Sequence, residues 1–352
     1  MAAVDPDVAL RIAKTIADLY GDAAARLLQL VAQRLAGGIE QPGWAEAKLA
    51  ELLPLSDEAA AIVAQLTADA PAIIEAAITE ANTIGITATG IDPTLAPVTN
   101  QAAVQALATE TVQAVTAPHQ AILRTVLDVY RTVIVETAAP GVVTGIETRR
   151  QAAQRALDRF ADQGVTGFVD RAGRRWEMQS YAEMATRTAS GRAMVEGRLA
   201  GYTEQGRTLV IVSDAPAECS ACRPFEGKLL SIGGAEVGER HGGIEVVDTV
   251  SGARARGLFH ANCRHDLRPY IDGLTRPMTH TADPDGDQAR QEQRRLERGV
   301  RQWKRREAAA MDEATRRKAA ARRAEWSKRL AEHVDQNDLK RLRYREQIGA
   351  AR

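Results

Sequence analysis

Aromatic side chains are scarce in this chain: Phe, Trp and Tyr make up 4% of 352 residues, although the hydrophobic share is 45%. Alanine supplies much of that share. Helices built this way pack closely through small side chains and leave few large aromatic pockets, which argues against a small-molecule enzyme. Cysteine is equally sparse. Three cysteines, an odd number, argue against a secreted disulfide framework and fit a reducing compartment. No run of about 18 uncharged apolar residues is present, so neither a membrane-spanning helix nor a membrane partner is expected. The opening Met-Ala-Ala-Val-Asp-Pro-Asp-Val lacks the basic and apolar regions of a signal peptide, and synthesis in a cytoplasm is expected. Phosphate-loop patterns are missing too, so Gly233-Gly234 and Gly242-Gly243 read as turns.

What is present is first a polarity of charge. The formal net charge is zero, yet residues 1–148 hold 17 acids against 7 bases and the remainder 29 acids against 39 bases. Residues 290–330 alone carry 15 bases and 6 acids. Such a split points to contacts with other macromolecules, or between the parts of the chain itself.

Helical periodicity dominates. Asp5-Pro6 is a good helix start, apolar residues follow from Val8 to Leu35, and Gly37-Gly38 ends the run. Short helices are expected at about 44–53 and 57–68, with another from Pro71 to Gly85. Residues 84–99 read as a loop, and 101–137 as helix broken near Pro118-His119. After a helix from Thr148 to about Gln163, glycine turns between Gly164 and Trp176 suggest a hairpin-like piece, and Tyr181 to about Glu204 is helical again. Thr208-Leu-Val-Ile-Val-Ser213 is the best strand, joined by Lys228–Ile232 and Ile244–Val247. From Asp283 to about His333 a single long, solvated helix is expected, anchored by Trp303 and Trp326. The fold class is thus α+β, predominantly α. It comprises a helical acidic region at 1–140, a small mixed α+β module at 147–275, and a long basic helix and tail at 283–352.

All three cysteines fall in two short clusters, Cys219-Ser-Ala-Cys222 and His260-Ala-Asn-Cys263-Arg-His265. Thiolates and imidazoles at x2 spacing can close on one tetrahedral ion, so Cys219, Cys222, His260 and Cys263 are candidate zinc ligands. His265 can replace His260 in that set. Three thiolates and one imidazole make a closed, structural site; catalysis needs an open position. The alternatives are buried thiols that act as small hydrophobes, a disulfide, or Cys263 as a nucleophile activated by His260 or His265. A metal-dependent hydrolase would need a carboxylate beside the ion, and Glu218 and Asp266 are nearest in sequence. No catalytic residue is assigned. The basic residues Lys304, Arg305, Arg306, Arg316, Arg317, Lys318, Arg322 and Arg323 are candidates for non-specific phosphate contact, as in a DNA-binding accessory protein.

Four motifs in order resemble a known family. They are Ala161–Trp176 with Ser180–Thr188; Val210–Asp214 with Cys219-Ser-Ala-Cys222-Arg-Pro-Phe-Glu-Gly-Lys228; Gly257-Leu-Phe-His-Ala-Asn-Cys-Arg-His265; and Trp303-Lys-Arg-Arg-Glu-Ala-Ala-Ala310. Over about 147–349 the chain resembles the minor capsid proteins of tailed phages and prophages of actinobacteria, related to Mu-type head morphogenesis proteins. Where that family reads His-Pro-Asn-Cys-Arg, this chain has Ala261, which removes stiffness from the loop and keeps the candidate ligand atoms. The resemblance implies a structural role in head assembly, genome packaging or ejection, not an enzyme. It places such a protein in the virion, in the capsid interior or at the portal vertex, after assembly in the host cytoplasm. The implied partners are the portal protein, the major capsid protein and genomic DNA, with self-association through the long helix.

Overall fold

The computed structural model describes residues 8–137, 147–163, 167–169, 173, 175–214, 220–234, 236–260, 263, 265–276 and 283–349. The candidate ligand Cys219 and the Asp5-Pro6 helix start lie outside them. Helices dominate, and a five-stranded mixed sheet makes the class α+β. Two compact units interleave along the chain. The first takes residues 1–14, 72–113 and 183–290; the second takes 15–71, 114–182 and 291–352. They divide the chain differently from the three consecutive regions expected above.

The sheet lies in the first unit. With the separate pair β1 Gly167–Val169 and β2 Arg175–Glu177 counted first, its strands are β3 Leu209–Val212, β4 Leu229–Ser231, β5 Arg240–His241, β6 Ile244–Thr249 and β7 Leu267–Pro269, in the order β5-β6-β4-β3-β7. Only β4 and β6 pair in parallel; the other neighbours are antiparallel. All four residues of β3 are buried, as a continuous apolar run requires when both faces of a strand are covered. Val210, Val212 and Leu230 face Val195 and Tyr202 of the helix Met178–Glu204, with Phe225, Leu258 and Phe259. Leu209, Ile211, Leu229, Val246 and Tyr270 form a second cluster. The three strands expected from sequence are present. The short β5 and β7 carry too few apolar residues to be legible. The hairpin-like piece is also found, as Gly167–Val169 antiparallel to Arg175–Glu177.

Helix Leu52–Thr87 corrects one expectation. It runs unbroken through Pro71, which removes one backbone donor without ending the helix. By length and composition it is also apolar enough to cross a membrane, because a window with two charges passes that test. Its buried residues nevertheless follow one stripe: Leu55, Ala59, Ile62, Leu66 and Ala70 in the second unit, then Ile74, Ala77, Ala81 and Ile86 in the first. Exposed Asp57, Glu58, Glu75 and Glu80 occupy other faces. That one-sided pattern is the signature of a helix covering a protein core.

The basic C-terminal stretch is two helices, not one. Pro284–Ala308 ends, and Glu313–Gln336 begins at Asp312, whose carboxylate accepts the Thr315 N–H at 2.7 Å. The turn carries neither glycine nor proline, so only this capping acid marked it. Leu296, Val300 and Leu330 are packed with Trp326 between the two helices, and Gly299 leaves room for the Trp326 ring.

In the second unit His119 is buried at the start of helix His119–Glu136. Its Nε2 lies 2.8 Å from the Tyr20 hydroxyl and its Nδ1 lies 2.7 Å from Thr67 Oγ1. Burial lowers its pKa to about 4, from 6.5. The unfolded chain therefore binds this proton first. The stabilisation is complete above the unfolded pKa and is lost as pH falls from about 6.5 towards 4, reaching about 2 kcal/mol by pH 5. All four tryptophans belong to the second unit, so urea unfolding followed by tryptophan fluorescence reads it alone. The wild type should lose stability between pH 6.5 and 5, and His119→Gln should flatten that slope; an unchanged slope assigns it to other groups.

Candidate metal centre

The antiparallel pairing of β3 with both β4 and β7 closes the 37-residue gap between the two knuckles. As β3 ends, the Ser213 N–H donates to the Asp266 carbonyl at 2.9 Å, and the Asp266 N–H donates to Ser213 Oγ at 2.9 Å. This fixes the loop entering β7. On the other side the chain leaves β3 and returns to β4 through a 3₁₀ turn, Arg223–Phe225. The Gly227 N–H bonds the Val212 carbonyl at 3.1 Å, and a left-handed φ of 67° at Gly227 makes that return. Cys222 opens this turn and is fully buried in the core.

There the structure gathers Cys222, Cys263 and His265, whose ligand atoms lie within 4.8 Å of one another. The two Sγ atoms are 3.5 Å apart, and Cys263 Sγ is 3.4 Å from His265 Nδ1. The other ring nitrogen, Nε2, lies 2.6 Å from Glu226 Oε1, and the His265 N–H points at Cys263 Sγ from 3.4 Å. The His265 side chain is 2% exposed. This group could hold a metal ion.

His260 is not among these residues. It follows Phe259, held at a left-handed φ of 60°, and lines a cleft of about 540 Å³ with Arg192, Glu196 and Arg254. The sequence placed both histidines within three residues of Cys263, and the tertiary arrangement brings His265 to the sulfurs. Glu226 is the residue that sequence reasoning missed; its one signal was an acid four positions after Cys222. Of the two carboxylates named from sequence, Glu218 lies outside the described residues. Asp266 is engaged by the buried Arg198, Nη2 to Oδ2 at 2.8 Å.

The electrostatics follow from these contacts. The Cys263 thiol is held at about 4, first by its hydrogen bond with Cys222 and, against burial, by His265. Burial pushes the His265 pKa down, but Cys263 and Glu226 outweigh it and hold it above the ordinary value. A thiolate, an imidazole and a carboxylate in series also form the skeleton of a nucleophilic triad. Here a second sulfur, Cys222 Sγ, stands 3.5 Å from Cys263 Sγ, and the imidazole side chain is 2% exposed. The arrangement suits an ion better than an acyl group.

The basic candidates divide sharply. Arg305 is buried: its Nε donates to the Ala161 carbonyl at 2.9 Å and its guanidinium pairs with Glu177. That removes it from any phosphate-facing surface. The neighbouring arginines hold the Glu177 pKa below its ordinary value even though burial opposes them. Arg306 grips Asp162 and lies 4.5 Å over the Trp303 ring. The Lys304 pKa is lowered by burial and then by Arg323, and its ammonium bonds Gln347. Arg323 pairs with Glu307 at 2.9 Å. Arg316, Arg317, Lys318 and Arg322 are exposed, with Glu313 and Glu325 beside the arginines. Part of the basic excess is therefore counter-charge for acids inside the second unit.

Among curated proteins, the chain is similar to a "Structural protein" of Lactococcus phage LL-H, 29% identical over 185 residues. That match takes in 50% of this chain and 49% of the relative, so the chain spans about half of the relative's length. No solved structure matches it. The sequence profile described as Phage minor capsid protein 2 matches residues 4–335, nearly the whole length and both compact units. On that match the chain belongs to the phage minor capsid protein 2 family.

Proposed function

We propose that this protein is a minor structural component of a tailed-phage head, held in the capsid interior at the portal vertex and assembled in the host cytoplasm. The family match over residues 4–335 carries the reading. Its neighbours are the portal protein and the major capsid protein, and its role is in head assembly, genome packaging or ejection. Genomic DNA is met through the exposed Arg316, Arg317, Lys318 and Arg322, a contact of charge without sequence preference. The remaining basic candidates are engaged internally. In the same reading the thiolate–imidazole group holds zinc as a structural ion, because soft thiolates and imidazole favour it.

Quantitative mass spectrometry of purified, DNA-filled particles tests the reading. The protein is expected in the particles at no more copies than the portal subunit and far below the major capsid protein. Absence from filled particles overturns the virion placement.

A further inference from the structure

The zinc reading above left its ligands open, and this inference rests on it. We propose that Cys222 Sγ, Cys263 Sγ and His265 Nδ1 are three corners of a tetrahedral zinc site, and that Glu226 positions the histidine for it.

The distances carry the assignment. With Zn–S near 2.3 Å and Zn–N near 2.0–2.1 Å, a tetrahedron sets two sulfurs about 3.8 Å apart and sulfur to nitrogen about 3.6 Å apart. Two observed edges, 3.5 Å and 3.4 Å, are within a few tenths of an ångström of the matching edges of that tetrahedron, and the third pair, Cys222 Sγ and His265, lies within 4.8 Å. A disulfide would require the sulfurs at about 2.05 Å, far inside this separation. Thiols that merely filled core volume would carry no requirement for a ring nitrogen at the same distance.

The orientation of the ring agrees. Glu226 Oε1, 2.6 Å from Nε2, accepts the Nε2–H, so Nδ1 is the ring atom that stands by the Cys263 sulfur and can offer its lone pair to an ion. A carboxylate behind a ligating histidine fixes its tautomer and raises its basicity. The backbone N–H of His265 directed at Cys263 Sγ supplies a donor to a thiolate there. Two thiolates balance the charge of one zinc ion, and the fourth corner belongs to a ligand beyond these three. Binding releases to solvent whatever protons remain on the two sulfurs and on His265 Nδ1, and no redox change is involved. His260, which spacing alone put in the set ahead of His265, lines a separate cleft and has no place here.

The test uses the untagged full chain, with zinc per chain measured by elemental analysis and affinity by competition with a chromophoric chelator. The wild type is expected to carry one zinc, His260→Ala to retain it, and His265→Ala and Cys263→Ser to lose it. Glu226→Gln should keep the stoichiometry while weakening affinity about 10- to 100-fold. Because cysteine variants of a core residue can fail to fold, the cobalt-substituted wild type supplies a second measurement. Thiolate-to-cobalt charge transfer and intense tetrahedral ligand-field bands are expected. Retention by His265→Ala with loss in His260→Ala overturns this ligand set and leaves the zinc reading standing. Wild-type affinity in Glu226→Gln overturns the positioning role alone. A wild type that binds neither zinc nor cobalt overturns both.

Discussion

Replacing Arg198 by alanine is expected to destabilise the first unit by about 3–5 kcal/mol, the cost of stranding a buried charge when its partner is deleted. Arg198 is 2% exposed on the helix Met178–Glu204, beneath the loop that carries Cys263 and His265. Its Nη2 meets Asp266 Oδ2 at 2.8 Å, and its Nη1 donates to the Leu267 carbonyl at 3.2 Å, which Tyr202 Oη also reaches at 3.2 Å. Burial raises the Asp266 pKa, and Arg198 acts against it. Without the guanidinium, the carboxylate would be uncompensated and a carbonyl at the start of β7 would lose a donor. The double variant Arg198→Ala/Asp266→Asn should be milder than the single one, since removing both charges avoids an unpaired ion. The first unit contains no tryptophan, so hydrogen exchange across residues 183–276 is the appropriate measurement. Equal losses in the single and double variants would show that the pair matters only through packing.

Gly85→Ala and Gly197→Ala should each cost about 1–3 kcal/mol or more, the range for forcing extra volume into a close-packed interface. Within the first unit, small residues recur every four positions on two helices, as Ala77, Ala81 and Gly85 and as Ala189, Ala193, Gly197 and Gly201, and Gly85 approaches Met194 while Gly197 approaches Asn82 and Ile86. A Cβ on Gly85 would stand 2.1 Å from the Met194 carbonyl oxygen, and one on Gly197 would stand 2.3 Å from that of Asn82. Both obstacles are backbone, so no side-chain rotation relieves them. Asn82 ties the same interface, donating to the Ala193 carbonyl at 3.0 Å. Gly191 on the same helix is the control. Nothing lies within 4 Å of its added Cβ, and Gly191→Ala should stabilise the helix by about 0.5–1 kcal/mol. A Gly85 variant as stable as the Gly191 variant would mean that the helices are not in backbone contact.

The alanine-rich, aromatic-poor composition anticipated this mode of packing, because small side chains recurring at helical spacing have few other uses. Local texture was legible elsewhere for similar reasons. The run Leu209–Val212 reads as a strand, Gly38 with its φ of 66° follows the end of a helix, and Pro118 stands between two. Where a single local cue pointed the wrong way, packing decided. Pro71 gives up one hydrogen bond inside a 36-residue helix whose stripe of buried residues continues on both sides of it. The turn at 309–312 escaped notice because its only marker is one capping aspartate.

By itself, then, the chain determined its class, its main strand, the donor chemistry of its two knuckles and the motifs that carry its family. Each of these depends on residue type and short-range spacing. Tertiary structure alone decided which imidazole stands by the sulfurs: the pairing of β3 with β7 and the Ser213–Asp266 bonds fix the backbone beside His265 at Cys263, while His260 lines a cleft. It also decided the fate of the basic residues. Arg305 and Arg306 find Glu177, Ala161 and Asp162 more than 120 positions away in the chain, and no local pattern distinguishes an arginine aimed at a buried acid from one left in water.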